Sequence, residues 1–167
     1  MATKADFTVD EWKLILGSPM LTGMAVTLAE PSGLWGMMQE GMASGQALLA
    51  ARKDPGALSL VKDIVADMET GDGRTAAREG VKAQLTGKTP AELKAQVLTT
   101  LTRVSGILDA KAGADSGPFK AWLKHVSERV AEASTEGGFL GFGGVKVTEA
   151  EKASIEDVAR ALNIPVM

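Results

Sequence analysis

The sequence predicts an all-α fold: one domain over residues 1–167, with seven or eight helices around a Met- and Gly-rich central helix pair. Three observations carry that expectation. Residues 14–51 hold only two formal charges, Glu30 and Glu40, and five of the eight methionines, as a buried centre would. Elsewhere apolar residues recur with helical spacing, and nothing alternates with period two over a useful length; only Val145-Lys-Val147 offers a strand fragment. Finally, Thr8-Val-Asp-Glu11, Thr89-Pro-Ala-Glu92 and Thr148-Glu-Ala-Glu151 are capping boxes, in which a threonine hydroxyl and a glutamate three residues later satisfy each other's free backbone amides.

Taken in order, residues 1–7 are expected as a loose tail, and the first capping box opens a short helix to about Leu16 with Trp12 and Leu16 on one face. Ser18-Pro19 reads as a cap followed by proline at the first helical position, and Glu30-Pro31-Ser32 as the next break, giving central helices near 19–29 and 33–52. The first is apolar all round, but only about ten residues separate its breaks, against about 20 for a membrane span, so no transmembrane segment is expected. In the second, Gly41-Met-Ala-Ser-Gly45 has the G-x-x-x-G form that lets another backbone approach closely.

Asp54-Pro55 repeats the cap-then-proline signature before a stripe of Leu58, Val61, Val65 and Met68 that runs to about Glu69. Thr70-Gly-Asp-Gly73 reads as a turn. A helix over about 74–86 shows only Ala77, Val81 and Leu85, and so sparse a stripe implies a peripheral position. The second capping box opens a helix with Leu93, Val97, Leu101, Val104 and Leu108 inward. After a loop over 112–117, Pro118 begins a helix with Phe119, Trp122, Leu123, Val126, Val130 and Ala133 on one face. The last capping box opens a helix that buries Ile155, Val158 and Leu162.

Composition excludes several chemistries. With no cysteine, thiolate nucleophiles, disulfides and cysteine-ligated metal centres are ruled out. One histidine, His125, leaves at most one imidazole base and no multi-histidine metal site. Net charge is −3, and residues 1–90 carry 9 basic and 11 acidic side chains against 9 and 10 in residues 91–167, so no basic face points to nucleic acid. No apolar stretch follows the N-terminal charge, so no signal peptide is expected and the cytoplasm is the expected location. No cofactor is expected.

Candidate sites remain. Met37, Met38 and Met42 supply the flexible thioethers that line adaptable apolar grooves, or that fill gaps in a core. In Gly137-Gly-Phe-Leu-Gly-Phe-Gly-Gly144, Phe139, Leu140 and Phe142 either tuck the loop onto the core or form a patch for self-association. Asp67, Glu69, Asp72 and Glu79 gather carboxylates around one turn, the donor set a hard divalent cation takes, though without EF-hand spacing. His125, with Glu128 and Arg129 beside it, is a further candidate. Ser59-Leu-Val-Lys62 fits S-x-x-K, but neither S-D-N nor K-T-G accompanies it.

Glu136-Gly-Gly-Phe-Leu-Gly-Phe-Gly-Gly144 followed by Val147-Thr-Glu-Ala-Glu-Lys152 resembles a signature of uncharacterised small all-helical bacterial proteins, which implies no function. Asp72-Gly73 with Glu79 is similar to a turn of the TerB-like helical domains of tellurite-resistance proteins. Gly143-Gly144 departs from the second Asp-Gly that family would have, which puts its metal binding in doubt here. The leading expectation is a non-catalytic module that self-associates or binds an apolar ligand or protein partner. The alternatives are a divalent-cation-binding stress-response protein and a carboxylate- or serine-based hydrolase, the last with no supporting constellation.

Overall fold

The computed structural model describes residues 1–29, 50, 53–54, 56–136 and 147–165. Among them lie six α-helices and no strand: α1 Val9–Thr27, α2 Ser59–Glu69, α3 Gly71–Gln84, α4 Pro90–Lys111, α5 Ser116–Glu136 and α6 Glu149–Ala161, with single 3₁₀ turns at Lys4–Asp6 and Gly113–Asp115. The second central helix, expected over 33–52, falls almost wholly outside the described residues.

All three capping boxes form. The amides of Glu11, Glu92 and Glu151 donate to the hydroxyls of Thr8, Thr89 and Thr148 at 3.3, 3.2 and 3.1 Å, and each glutamate accepts from its threonine's amide. At Ser18-Pro19, however, no new helix starts, and the expected helices to Leu16 and from residue 19 are one continuous α1. Proline removes the amide that would donate to the Ile15 carbonyl. The Ser18 hydroxyl donates to that carbonyl instead, at 2.6 Å, and the Thr22 hydroxyl donates to the Pro19 carbonyl at 2.8 Å. Ser-Pro therefore patches a helix interior here, which joins the expected short first helix to the first member of the expected central pair and lowers the helix count by one.

That helix is the centre. α1 packs against α3, α4, α5 and α6, and Ile15, Leu16, Leu21, Ala25 and Val26 are all but inaccessible. The main core adds Leu60 and Ile64 of α2, Val97 to Leu108 of α4, Phe119 and Leu123 of α5, and Val158 and Leu162 at the end of α6. A smaller cluster of Val26, Val130 and Ala131 closes the far end of α1.

Most of α3 is exposed, as its sparse stripe implies, but that stripe makes a close small-residue contact with α1. A Cβ on Gly80 would lie 2.7 Å from the Lys13 carbonyl oxygen, and one on Gly17 would lie 2.8 Å from Val81 Cγ2. The two backbones meet where side chains are missing. Thr70-Gly-Asp-Gly73 also departs from a four-residue turn: Thr70 alone is extended (φ −89°, ψ 153°), and its hydroxyl accepts from the Gly73 amide, so Gly71, Asp72 and Gly73 form the first turn of α3.

Residues 1–7 depart from the expected loose tail. Ala2 and Phe7 are buried; the Ala2 amide donates to Asp115 and the Lys4 amide to Asp63 Oδ2 at 2.8 Å. The segment is fastened across α2 and the start of α5. No helix among the described residues is long and apolar enough to cross a membrane.

Candidate functional site

Helix α5 presents two stripes. Phe119, Leu123, Val126 and Val130 are the buried one. Next to it, Pro118, Trp122, His125 and Arg129 follow a four-three-four spacing along one face, and they wall a cleft completed by Ala57, Leu58 and Val61 at the start of α2. The cleft encloses about 380 Å³. Its floor is apolar; Trp122 is half-buried with its ring 5.5 Å from Phe119, a tilted pair that holds the indole at the cleft wall.

The approach to α2 shapes the opposite wall. Asp54 does not cap α2 as expected: its Oδ1 accepts from the Gly56 amide at 2.8 Å and its carbonyl from the Ala57 amide at 3.1 Å, closing a tight turn that carries Ala57 and Leu58 into the cleft. Leu58 stands at the N-cap position of α2 and supplies no side-chain bond to it.

The other end of the α5 stripe carries its charged and ionisable groups. His125 Nδ1 lies 3.4 Å from Glu128 Oε2, Lys124 Nζ lies 3.0 Å from the other oxygen of the same carboxylate, and Arg129 Nη1 lies 3.2 Å from Glu132 Oε2. His125 and Arg129 are nonetheless well exposed, at 63 and 55% of the side chain, which leaves both able to take a further anion.

The four carboxylates expected around the acidic turn are not assembled into a ligand set; among the described residues no three acidic or histidine side chains converge. Asp67 Oδ2 is occupied by Lys4 Nζ and by the Trp12 indole N–H, both at 2.7 Å, with the Lys4 ammonium 5.7 Å from the Trp12 ring centroid. Glu79 pairs with Lys13 at 3.4 Å, and Asp72 is exposed in the first turn of α3. Arg74 lies across the same turn, its Nη1 donating to the carbonyls of Met68 and Glu69 at 3.0 Å each. Asp67 thus fastens the N-terminal segment. A second cleft of about 350 Å³ beside this tether is bounded by Phe7, Val9, Trp12 and Asp72. Met37, Met38, Met42, Phe139, Leu140 and Phe142 lie outside the described residues.

A third polar cluster joins α4 to α5. Lys120 Nζ lies 2.7 Å from both oxygens of Asp109, and Ser116 Oγ donates to Oδ1 at 2.7 Å. Only 5% of the Lys120 side chain is exposed against 51% of Asp109. The lysine's hydrogen bond, reinforced by that of Ser116, holds the Asp109 carboxyl below its ordinary range. Neither Lys120 nor Asp109 lines a cleft described above, and the cluster reads as a clamp between helices.

Periodicity had placed Trp122 with the core face of α5 and His125 apart from it. The signal that joins them is the four-three-four spacing from Pro118 to Arg129, legible once the deeper stripe is assigned to the core. No family model, curated protein or solved structure matches this chain, so its function is argued from its own geometry.

Proposed function

We propose that this chain acts by binding and not by catalysis, taking an apolar ligand in the cleft between α2 and α5. One observation supports the reading above all: Leu58, Pro118 and Trp122, over the buried Val61, line an open cleft of about 380 Å³, within the size range of small-molecule sites. The indole is the anchor, large, rigid and held by Phe119.

The test is titration with the neutral fluorophore N-phenyl-1-naphthylamine, whose emission rises when it leaves water. Leu58→Asp places a carboxylate in the cleft and offers α2 the side-chain cap it lacks; because Leu58 also packs on the core, circular dichroism of the variant accompanies the titration to check that the chain stays helical. Saturable enhancement is expected with the wild-type chain, and its loss with Leu58→Asp. A wild-type chain that gives none, or a Leu58→Asp chain that binds equally well, overturns the reading.

A further inference from the structure

We infer that the ligand of this cleft is a single-chain amphiphile with a monoanionic head, its tail along Pro118 and Trp122 and its head at His125 and Arg129. The inference rests on the apolar cleft proposed above and adds its chemical class and orientation. The stripe that walls the cleft changes character along its length, from Pro118 and Trp122 to His125 and Arg129, a span of 11 residues on one helix face. At the helical rise that is about 16 Å, the reach of an extended chain of about a dozen carbons. A ligand apolar throughout would leave the Arg129 guanidinium unused, and a compact anion would leave Trp122 and Leu58 facing water.

Charge sets the head group. Asp54 is the one carboxylate among the described lining residues, and the same lining carries His125 and Arg129. Arginine keeps its charge at any working pH, and its planar fork matches a carboxylate with two donors. Glu132 and Glu128 contact Arg129 and His125 at 3.2 and 3.4 Å, along α5, and at this exposure such pairs are weak enough for an incoming carboxylate to compete. A dianion would meet Asp54, Glu128 and Glu132 together, so a single charge fits best.

Calorimetry with decanoate and with decanol, both below their aggregation limits, tests this on the wild-type chain, on Leu58→Asp and on the double variant His125→Gln/Arg129→Gln. Both substituted glutamines sit on exposed positions and keep the helix. Decanoate is expected to bind the wild-type chain roughly tenfold more tightly than decanol, one charge-assisted contact's worth, and to lose that margin in the double variant while decanol is unchanged. Equal affinity for the two in the wild-type chain, or a margin that survives in the double variant, overturns the amphiphile and leaves the apolar cleft standing. If neither probe binds, both readings fall.

Discussion

Two glycines inside helices should respond to the same substitution with opposite sign. Gly106 lies on the exposed face of α4, and a Cβ there would meet nothing within 4 Å. Gly106→Ala should therefore gain the helix-propensity difference, about 0.5–1 kcal/mol. Gly80 would gain the same in isolation, but its Cβ would lie 2.7 Å from the Lys13 carbonyl oxygen and 3.0 Å from the carbonyl carbon. Those atoms are backbone and cannot rotate aside, so α3 must back away from α1 by a fraction of an ångström. That movement loosens Ala77 and Val81 against Gly17, at the same contact. Overpacking of this kind costs about 1–3 kcal/mol, which exceeds the propensity gain and leaves Gly80→Ala about 1–2 kcal/mol less stable than wild type. For a chain of this length the melting temperature should fall by about 3–6 °C with Gly80→Ala and rise by about 2 °C with Gly106→Ala. Thermal and urea denaturation followed by circular dichroism reads both. If Gly80→Ala stabilises as much as Gly106→Ala, α1 and α3 are not in backbone contact and the account of the core is wrong.

Other substitutions probe local devices. Ser18→Ala leaves the buried Ile15 carbonyl without its donor and should cost about 1–3 kcal/mol, whereas in a Pro19→Ala background the restored amide takes that carbonyl and the cost should shrink; a double-mutant cycle by urea denaturation that shows no coupling would refute the patch. Asp109→Ala strands the buried Lys120 ammonium and should cost about 2–4 kcal/mol, while Lys120→Met leaves a half-exposed carboxylate to water and should cost clearly less; the reverse order would refute the clamp. Because the folded Asp109 carboxyl is held below its unfolded value, its contribution is present in full above the ordinary carboxylate range and is lost as pH falls through the folded value, so Asp109→Ala should flatten the acid limb of a stability-versus-pH curve. Thr148→Ala removes the hydroxyl that accepts from the Glu151 amide and should cost about 1 kcal/mol by the same assay; no loss would show the last capping box to be ornamental.

What could be read in the sequence was local. A capping box closes within four residues, so Thr8, Thr89 and Thr148 announce their helices without help from the rest of the chain. Ser18-Pro19 is local too, yet it has two solutions. The hydroxyl can accept from an amide ahead and start a helix, or donate to a carbonyl behind and continue one. Burial decides: Ser18, Pro19 and Thr22 sit in the middle of the core, where α1 has helices on several sides to hold it straight through the proline. Tertiary packing likewise brought α3 into backbone contact with α1, since apolar periodicity counts large side chains and is blind to contacts made by their absence at Gly17 and Gly80. The N-terminal segment was hidden for a third reason. Its anchors, Asp63, Asp67 and Asp115, are far away in sequence and look like surface charge until the fold brings them round.

The same blindness bears on the acidic turn and the cleft. Carboxylates clustered in sequence suggested a cation, but in space Asp67 and Glu79 each met a lysine, and Arg74 crossed the turn between them. Clustering along the chain brings groups near each other; it does not leave them free. His125 shows the converse. In the sequence it is a candidate with only Glu128 and Arg129 beside it, yet its stripe continues to Trp122 and Pro118 one way and Arg129 the other, and α2 supplies a facing wall from residues about 65 positions earlier. A helix with a core stripe and a second, graded stripe beside it can hold its fold with the first and present the second to a ligand. Substitutions at the exposed His125 and Arg129 should therefore separate binding from stability, while those at Phe119, Leu123 or the half-buried Trp122 should move both together.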